Sequence, residues 1–262
     1  MEGQKIKILD LGYMEMTKEE LVAGGGNATI RSPMTAVLIR HPTLGYVLYD
    51  TGNDDNWEQT YPENVRKHYP IRKLITIQDA LKREGISTEE ISLLILSHLH
   101  IDHAGGLKFF QGKKAGKHVI VSEDEARDAF YRVNMVPSGI DGVYVRKLFC
   151  GLDGIGFSPI NGQKDLADDI RLFVMQAHTA GLIGMQLQLK NAGTILFCGD
   201  TVYTKESYEK ELPPGGDLNT SSQRFLNTLR WLKEQEKKNH ATIFFGHDME
   251  QSTAWQQKGW IS

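Results

Sequence analysis

The order of apolar and polar residues divides the chain into stretches of two kinds. In "KIKIL" (5–9) they alternate, as in a strand with one buried face. "MTAVLIRHPTLGYVLYDTG" reads as a hairpin, with strands near 34–40 and 46–50 and the turn at His41 to Gly45. "ISLLILSH" (91–98) is almost continuously apolar, the pattern of a strand covered on both faces. "KHVIVS" (117–122), "IRLFVM" (170–175), "GMQLQLK" (184–190), "TILFCG" (194–199) and "ATIFFG" (241–246) complete the predicted strands.

Helical spacing interrupts them. "TIQDALKREG" (76–85) reads as a helix stopped by Gly85, since glycine takes the left-handed capping conformation without a Cβ clash. "SEDEARDAFYRV" (122–133) opens with Ser122 and has Glu125 three residues on, the spacing of a reciprocal capping box. In "TSSQRFLNTLRWLKEQEKKN" (220–239), Phe225, Leu226, Leu229 and Leu232 fall on one face, and Lys237 and Lys238 suit the negative end of the helix dipole. Helices interleaved with strands and hairpins predict an α/β sandwich with mixed sheets rather than a purely parallel one.

Composition narrows the function. The 262 residues are 40% hydrophobic, and no Pro- or Ser-rich linker or repeat divides them, so 1–262 is read as a single domain. A net charge of -3 lacks the basic surplus of a nucleic-acid binder, and the one basic run, "GKKAGKH" (112–118), reads as a solvated loop. The longest apolar stretch (91–97) is far shorter than the roughly 20 residues that span a bilayer, so no membrane association is expected. Cys150 and Cys198 are far apart and have no CxxC spacing, and "MEGQKIKILDLGYMEM" lacks the marks of a secretory leader. The expected setting is reduced and cytoplasmic.

"SHLHIDHAGG" (97–106) changes the picture. It places His98, His100, Asp102 and His103 within six residues, just past the predicted strand at 91–97. An HxHxDH cluster arises by chance on the order of once in a thousand chains of this composition. Three other predicted strands end the same way, with His178 after 170–175, Asp200 after 194–199 and His247 after 241–246. If those ends point in one direction, seven imidazoles and carboxylates meet at one edge, where sites of layered α/β proteins collect. Nitrogen and oxygen donors of this kind suit zinc and its first-row neighbours. Seven exceed the shell of one tetrahedral ion but fit two if a carboxylate bridges. Water shared between two cations ionises near neutral pH, which supplies a hydroxide nucleophile. The expected cofactors are two divalent metal ions, zinc first, with iron, manganese and cobalt as alternatives.

The motifs "HLHIDHAGG", "HTAG", "GD" and "GH", in this order, resemble those of the metallo-β-lactamase superfamily over most of the chain. The resemblance implies an αβ/βα sandwich of two mixed β-sheets with a dinuclear site along one edge. It implies that His98, His100 and His178 hold one metal, that Asp102, His103 and His247 hold the other, and that Asp200 bridges them. "GDTVYTKES" and "IFFGHDMEQ" are further similar to the N-acyl-homoserine lactone lactonases, the quorum-quenching branch. That likeness implies a lactone-opening hydrolase of the carboxylic-ester class, with a small lactone bearing an apolar acyl chain as substrate and with a homodimer left open. It gives Tyr203 the role of holding the substrate carbonyl, and Asp102, expected to touch the nucleophile, is read as the proton carrier. Candidates for the acyl trough are Trp57, Tyr61, Tyr69, Ile101, Met14 and Met16. One position departs from the branch: Leu182 stands where a second histidine is common, which bears on substrate choice.

Other readings are weighed against the same residues. A lactone such as pyridoxolactone, or another ester, would use the same motifs, and a metal-binding sensor would keep the site without turnover. Glutathione thioesterases carry a C-terminal extension, for which the fifteen residues after His247 leave no room. Nucleases of the superfamily need a basic surface. True β-lactamases use a cysteine ligand in the second metal site. Diiron oxygen-reducing relatives place Glu where this chain has His100. Cys198 reads as a buried structural thiol, and the glycine-rich "GLDGIGF" (151–157) as a turn.

Overall fold

The computed structural model describes residues 3–262. Its fourteen strands are β1 (Lys5–Thr17), β2 (Thr29–His41), β3 (Gly45–Tyr49), β4 (Ile71–Leu74), β5 (Ile91–Ile95), β6 (Val119–Ser122), β7 (Ile140–Asp141), β8 (Tyr144–Val145), β9 (Phe157–Ile160), β10 (Gln163–Ala167), β11 (Ile170–Met175), β12 (Leu182–Leu189), β13 (Gly193–Phe197) and β14 (Thr242–Phe244). Seven form one sheet in the order β4-β1-β2-β3-β5-β6-β9, and five form another in the order β10-β11-β12-β13-β14. Both are mixed. In the first, β1 to β3 are antiparallel hairpin neighbours, while β3, β5, β6 and β9 run parallel. In the second only β13 and β14 are parallel.

Period-two alternation explains why both faces of the first sheet are covered. Ile6, Ile8, Val37, Ile39, Val47 and Tyr49 face the second sheet and pack with Leu172, Met185, Leu187, Ile195 and Phe197. Their neighbours Leu9, Leu11, Leu38, Leu48 and Leu94 point the other way, against Ile77 and Leu81 of helix Ile77–Arg83 and Ala129 and Val133 of helix Glu123–Met135. The outer face of the second sheet is covered by Phe225, Leu229 and Leu232 of helix Ser222–Asn239, as the spacing predicts, and Leu226 sits half-buried beside them. The result is the four-layered αβ/βα sandwich. Among the described residues no helix is long and apolar enough to cross a membrane.

Three differences from the sequence reading have physical causes. First, β1 runs on to Thr17, because a register shift between Asp10 and Tyr13 kinks the strand without ending its pairing with β2. Second, the capping box at Ser122 is only half made. The Ser122 hydroxyl accepts the Glu125 N–H, but the Glu125 side chain turns inward, as described below. Third, Ala115 and Gly116 of the basic run are buried, so the run is not a wholly solvated loop, although Gly112, Lys114, Lys117 and His118 are exposed.

Candidate metal centre

The β5 strand ends at Ile95, and the chain then passes through Ser97–His100 into the short helix Ile101–Ala104. His100 caps this helix, with Asp102 in its first turn and His103 in its last. The glycines that follow let the loop after β3 press against it. A Cβ on Gly105 would lie 2.3 Å from the Asp54 nitrogen, and one on Gly106 would lie 2.4 Å from the Thr51 carbonyl. His178 follows β11, Asp200 follows β13 and His247 follows β14. The strand ends do point one way, and all seven side chains come together.

They form two groups, His98/His100/His178 and Asp102/His103/Asp200/His247, and within each group the donor atoms lie within 4.8 Å of one another. Each group draws on both sheets. His100 Nδ1 is 3.0 Å from His178 Nε2. His247 Nε2 is 3.0 Å from Asp200 Oδ2, and His103 Nε2 is 3.3 Å from Asp200 Oδ1. Donors at zinc–nitrogen bonding distance in a tetrahedral shell are about 3.3 Å apart, so the spacing suits a cation. Asp200 lies between the groups, with Oδ2 also 3.7 Å from His178 Nε2 and 4.0 Å from His98 Nε2.

The outer nitrogens set the tautomers. Nδ1 of His98 meets the Ser97 hydroxyl at 2.9 Å, and Nδ1 of His247 meets the Ser32 hydroxyl at 2.8 Å. Nδ1 of His103 meets Asp50 Oδ2 at 2.9 Å, and Nδ1 of His178 meets the Tyr203 hydroxyl at 3.1 Å. With its proton on Nδ1, each of these rings would have an Nε2 lone pair to offer a bound cation. His98 Nε2, His103 Nε2 and Asp200 Oδ1 are buried and have no hydrogen-bond partner. Such atoms are costly to leave unpaired, and a bound cation would satisfy all three. The donor set therefore fits the two metals that the motifs imply.

The electrostatics separate the groups. Burial, reinforced by neighbouring histidines, holds His98 and His100 well below the usual imidazole range. Burial brings His178 down to about 4. Those three rings are neutral at pH 7. Burial also opposes charge on His103 and His247, but Asp200 and Asp102 outweigh it and raise both. Against its own burial, Asp200 is held well below the usual carboxylate range by His247 and His103. The first group thus offers neutral nitrogens and the second carboxylate charge.

Tyr203 is buried, and burial together with the Asp200 charge pushes its phenol well up, so it keeps its proton. It lines a small chamber above the two groups with Met14, Met16, Tyr69, Ile101 and Leu218. Of the residues read as a trough, Met14, Met16, Tyr69 and Ile101 are there. Trp57 packs against the core instead, and Tyr61 is buried with its hydroxyl on Asn53 Oδ1 and the Ile101 carbonyl. Leu182 is fully buried in the apolar layer under helix Ser222–Asn239, against Gly199, so it fills core rather than facing the donors. Cys198 is buried beside it, and Cys150 and Cys198 are unpaired. Asp50, Ser32 and Ser97 escaped the sequence reading. The signal for Asp50 was present: like the ligand candidates, it follows the carboxyl end of a strand, β3.

Fold and donor set together define the class. Residues 31–247 match the family model of the Metallo-beta-lactamase superfamily, and the chain belongs to that superfamily. Among known relatives, the N-acyl homoserine lactonase of Bacillus cereus is 30% identical over 216 residues, 79% of this chain and 78% of its own length. The N-acyl homoserine lactonase AiiB of Agrobacterium fabrum is 26% identical and covers 95% of both chains. An N-acyl homoserine lactone hydrolase, solved with the product N-hexanoyl-L-homoserine at its catalytic metal centre, superposes with a TM-score of 0.82 at 24% identity over 97% of both chains. AidC, a dizinc quorum-quenching lactonase, superposes at 0.67 with 18% identity, over 94% of this chain and 88% of its own. These two superpositions bear on the fold.

Proposed function

We propose that this chain, acting as one domain over 1–262, is a dinuclear-metal lactonase that hydrolyses N-acyl-homoserine lactones in the cytoplasm. The observation that carries the reading is the pair of donor groups meeting at Asp200 beneath an apolar chamber that Tyr203 lines. The names of the relatives supply the substrate class. His98, His100 and His178 would hold one ion, Asp102, His103 and His247 the other, and Asp200 both, with zinc the first expectation. When bound, the ions supply a hydroxide nucleophile at neutral pH and polarise the lactone carbonyl.

The protein's own groups do the rest. His178 Nδ1–H donates to the Tyr203 oxygen at 3.1 Å, which leaves the phenol proton free for the substrate carbonyl oxygen. That hydrogen bond strengthens as the oxygen gains charge in the transition state. Asp102 lines the same chamber, with Oδ2 3.6 Å from His103 Nε2 and 3.8 Å from His247 Nε2. Its carboxylate accepts the proton of the hydroxyl that has added to the carbonyl carbon and delivers it to the ring oxygen as the C–O bond breaks. The products are a carboxylate and an alcohol on one acyl-homoserine molecule. Met14, Met16, Ile101 and Leu218 receive the start of the acyl chain and exclude water from it.

A panel of acyl-homoserine lactones, other lactones, thioesters and phosphodiesters, assayed with metal content measured in parallel, tests this. Ring opening of the acyl-homoserine lactones should dominate at about two metal equivalents per chain. Full metal loading with turnover only of another class would sink the reading.

A further inference from the structure

Helix Glu123–Met135 contributes no residue to either donor group, yet one of its side chains reaches both segments that supply the first. Glu125 is fully buried. Its Oε1 accepts the N–H of Leu99, the residue between His98 and His100, at 2.9 Å. The same oxygen accepts the Tyr144 hydroxyl at 3.1 Å, and the Tyr144 ring meets the His100 ring edge-on with centroids 4.5 Å apart. The Thr179 hydroxyl, next to His178, faces the same carboxylate. Glu125 Oε2 and Thr179 Oγ1 are both buried without a hydrogen-bond partner. The His178 segment is drawn onto this helix by Gly181, where a Cβ would stand 2.3 Å from the Ser122 hydroxyl.

We propose that Glu125 is a positioning residue for the first metal. Its carboxylate ties the His98–His100 loop and the Tyr144 ring to the helix end on which the His178 loop packs, and so fixes the spacing of His98, His100 and His178. The inference rests on the reading of these three as ligands. Its logic is that of an outer partner that orients a ligand, except that it acts on the peptide between two ligands rather than on a ring nitrogen. A capping glutamate would point back to the Ser122 N–H; this one gives up that bond to reach Leu99.

The test uses the full chain and measures binding of zinc alone by competition with a chromophoric chelator, alongside unfolding of the chelator-stripped protein. In Glu125→Gln the amide oxygen still accepts from Leu99 and Tyr144, so both equivalents should bind within about threefold of the parent protein. In Glu125→Leu the Leu99 N–H loses its acceptor. One equivalent should weaken by on the order of 10- to 100-fold, the usual effect of losing an outer partner, while the other is unchanged. Tyr144→Phe, which keeps the Leu99 bond, should fall between. Binding of both equivalents by Glu125→Leu at the parent affinity would overturn the proposal. So would equal weakening of both equivalents, or loss of cooperative unfolding in the stripped protein, because Glu125 would then serve the fold at large. Weakening in Glu125→Gln as severe as in Glu125→Leu would overturn it too. A parent chain that bound no zinc would instead overturn the function proposed above.

Discussion

Replacing Asp50 separates metal binding from folding. Asp50 is buried at the end of β3 with φ of 67°, a left-handed conformation that Asp and Asn tolerate better than other side chains. Its Oδ1 accepts the Ser97 N–H at 2.6 Å, and its Oδ2 meets His103 Nδ1 at 2.9 Å. In Asp50→Asn the amide oxygen keeps the Ser97 bond, but the amide nitrogen now faces His103 Nδ1. Two donors cannot pair, so the His103 proton shifts to Nε2, the atom facing Asp200. The expected cost is about 10- to 100-fold in affinity for one metal, or about 1.4–2.7 kcal/mol. The metal-free fold should change by less than about 1 kcal/mol, since burial already disfavours the Asp50 charge. In Asp50→Ala the Ser97 N–H is stranded, at about 1–3 kcal/mol, and the left-handed backbone costs about 1–2 kcal/mol more. Urea unfolding of stripped protein should therefore show Ala below Asn by about 2–5 kcal/mol, while zinc titration shows both impaired. Equal stability of the two variants, or undiminished zinc affinity in Asp50→Asn, would refute the reasoning.

Three further outcomes follow from the same geometry. Tyr203→Phe should keep both metals and lose roughly 10- to 100-fold in kcat, somewhat less than the loss of a full oxyanion donor, and unchanged kinetics would make Tyr203 a packing residue. His103→Ala should regain part of its activity in excess zinc. Asp102→Asn should not, and its defect should be large for alkyl lactones and small for activated aryl esters, whose phenolates leave unaided; equal defects with rescue by zinc would reduce Asp102 to a ligand. Burial, partly offset by the Leu99 N–H, raises the Glu125 carboxyl from 4.5 to about 7. A raised folded pKa contributes stability that is complete below pH 4.5 and is lost as pH rises through 7. In stripped protein, Glu125→Gln should thus gain on the parent by up to about 3 kcal/mol between pH 4.5 and 7 and level off above, as read by urea unfolding at several pH values. A difference independent of pH would place the Glu125 proton elsewhere.

The central strands and the seven donors were legible because each carries a strong local signal. An apolar run marks a strand buried on both faces, and a histidine or aspartate just past it marks the site edge. The weak edge strands were not legible: β4 ("IRKL"), β9 ("FSPI") and β10 ("QKDLA") lack apolar alternation and exist because a neighbour's free edge pairs with them. Helix Met249–Gln257 buries only Ser252 and Trp255, too little for a helical stripe. Glu125 was hidden for a different reason. A local rule already accounted for it as a capping residue, and only the tertiary structure shows its carboxylate spent on Leu99. Asp50 was absorbed in the same way into the end of a hairpin strand. Local patterns locate ligands, but partners such as Ser32, Asp50 and Glu125 come from segments distant in the chain.

Each donor group takes residues from both sheets: His98 and His100 with His178, and Asp102 and His103 with Asp200 and His247. Neither half of the sandwich is therefore a chelator by itself. As the chain leaves the ribosome, the histidine cluster at 98–103 emerges first. The first donor group is complete only after residue 178, and the second only after 247. On the proposed two-metal reading, ion capture would report that the halves have docked and by mass action would lock them: at a free ion concentration one hundred times the dissociation constant, each site would add about 2.7 kcal/mol to the folded state. The cell's supply of free ion would then set how much of this protein survives proteolysis as well as how fast it works.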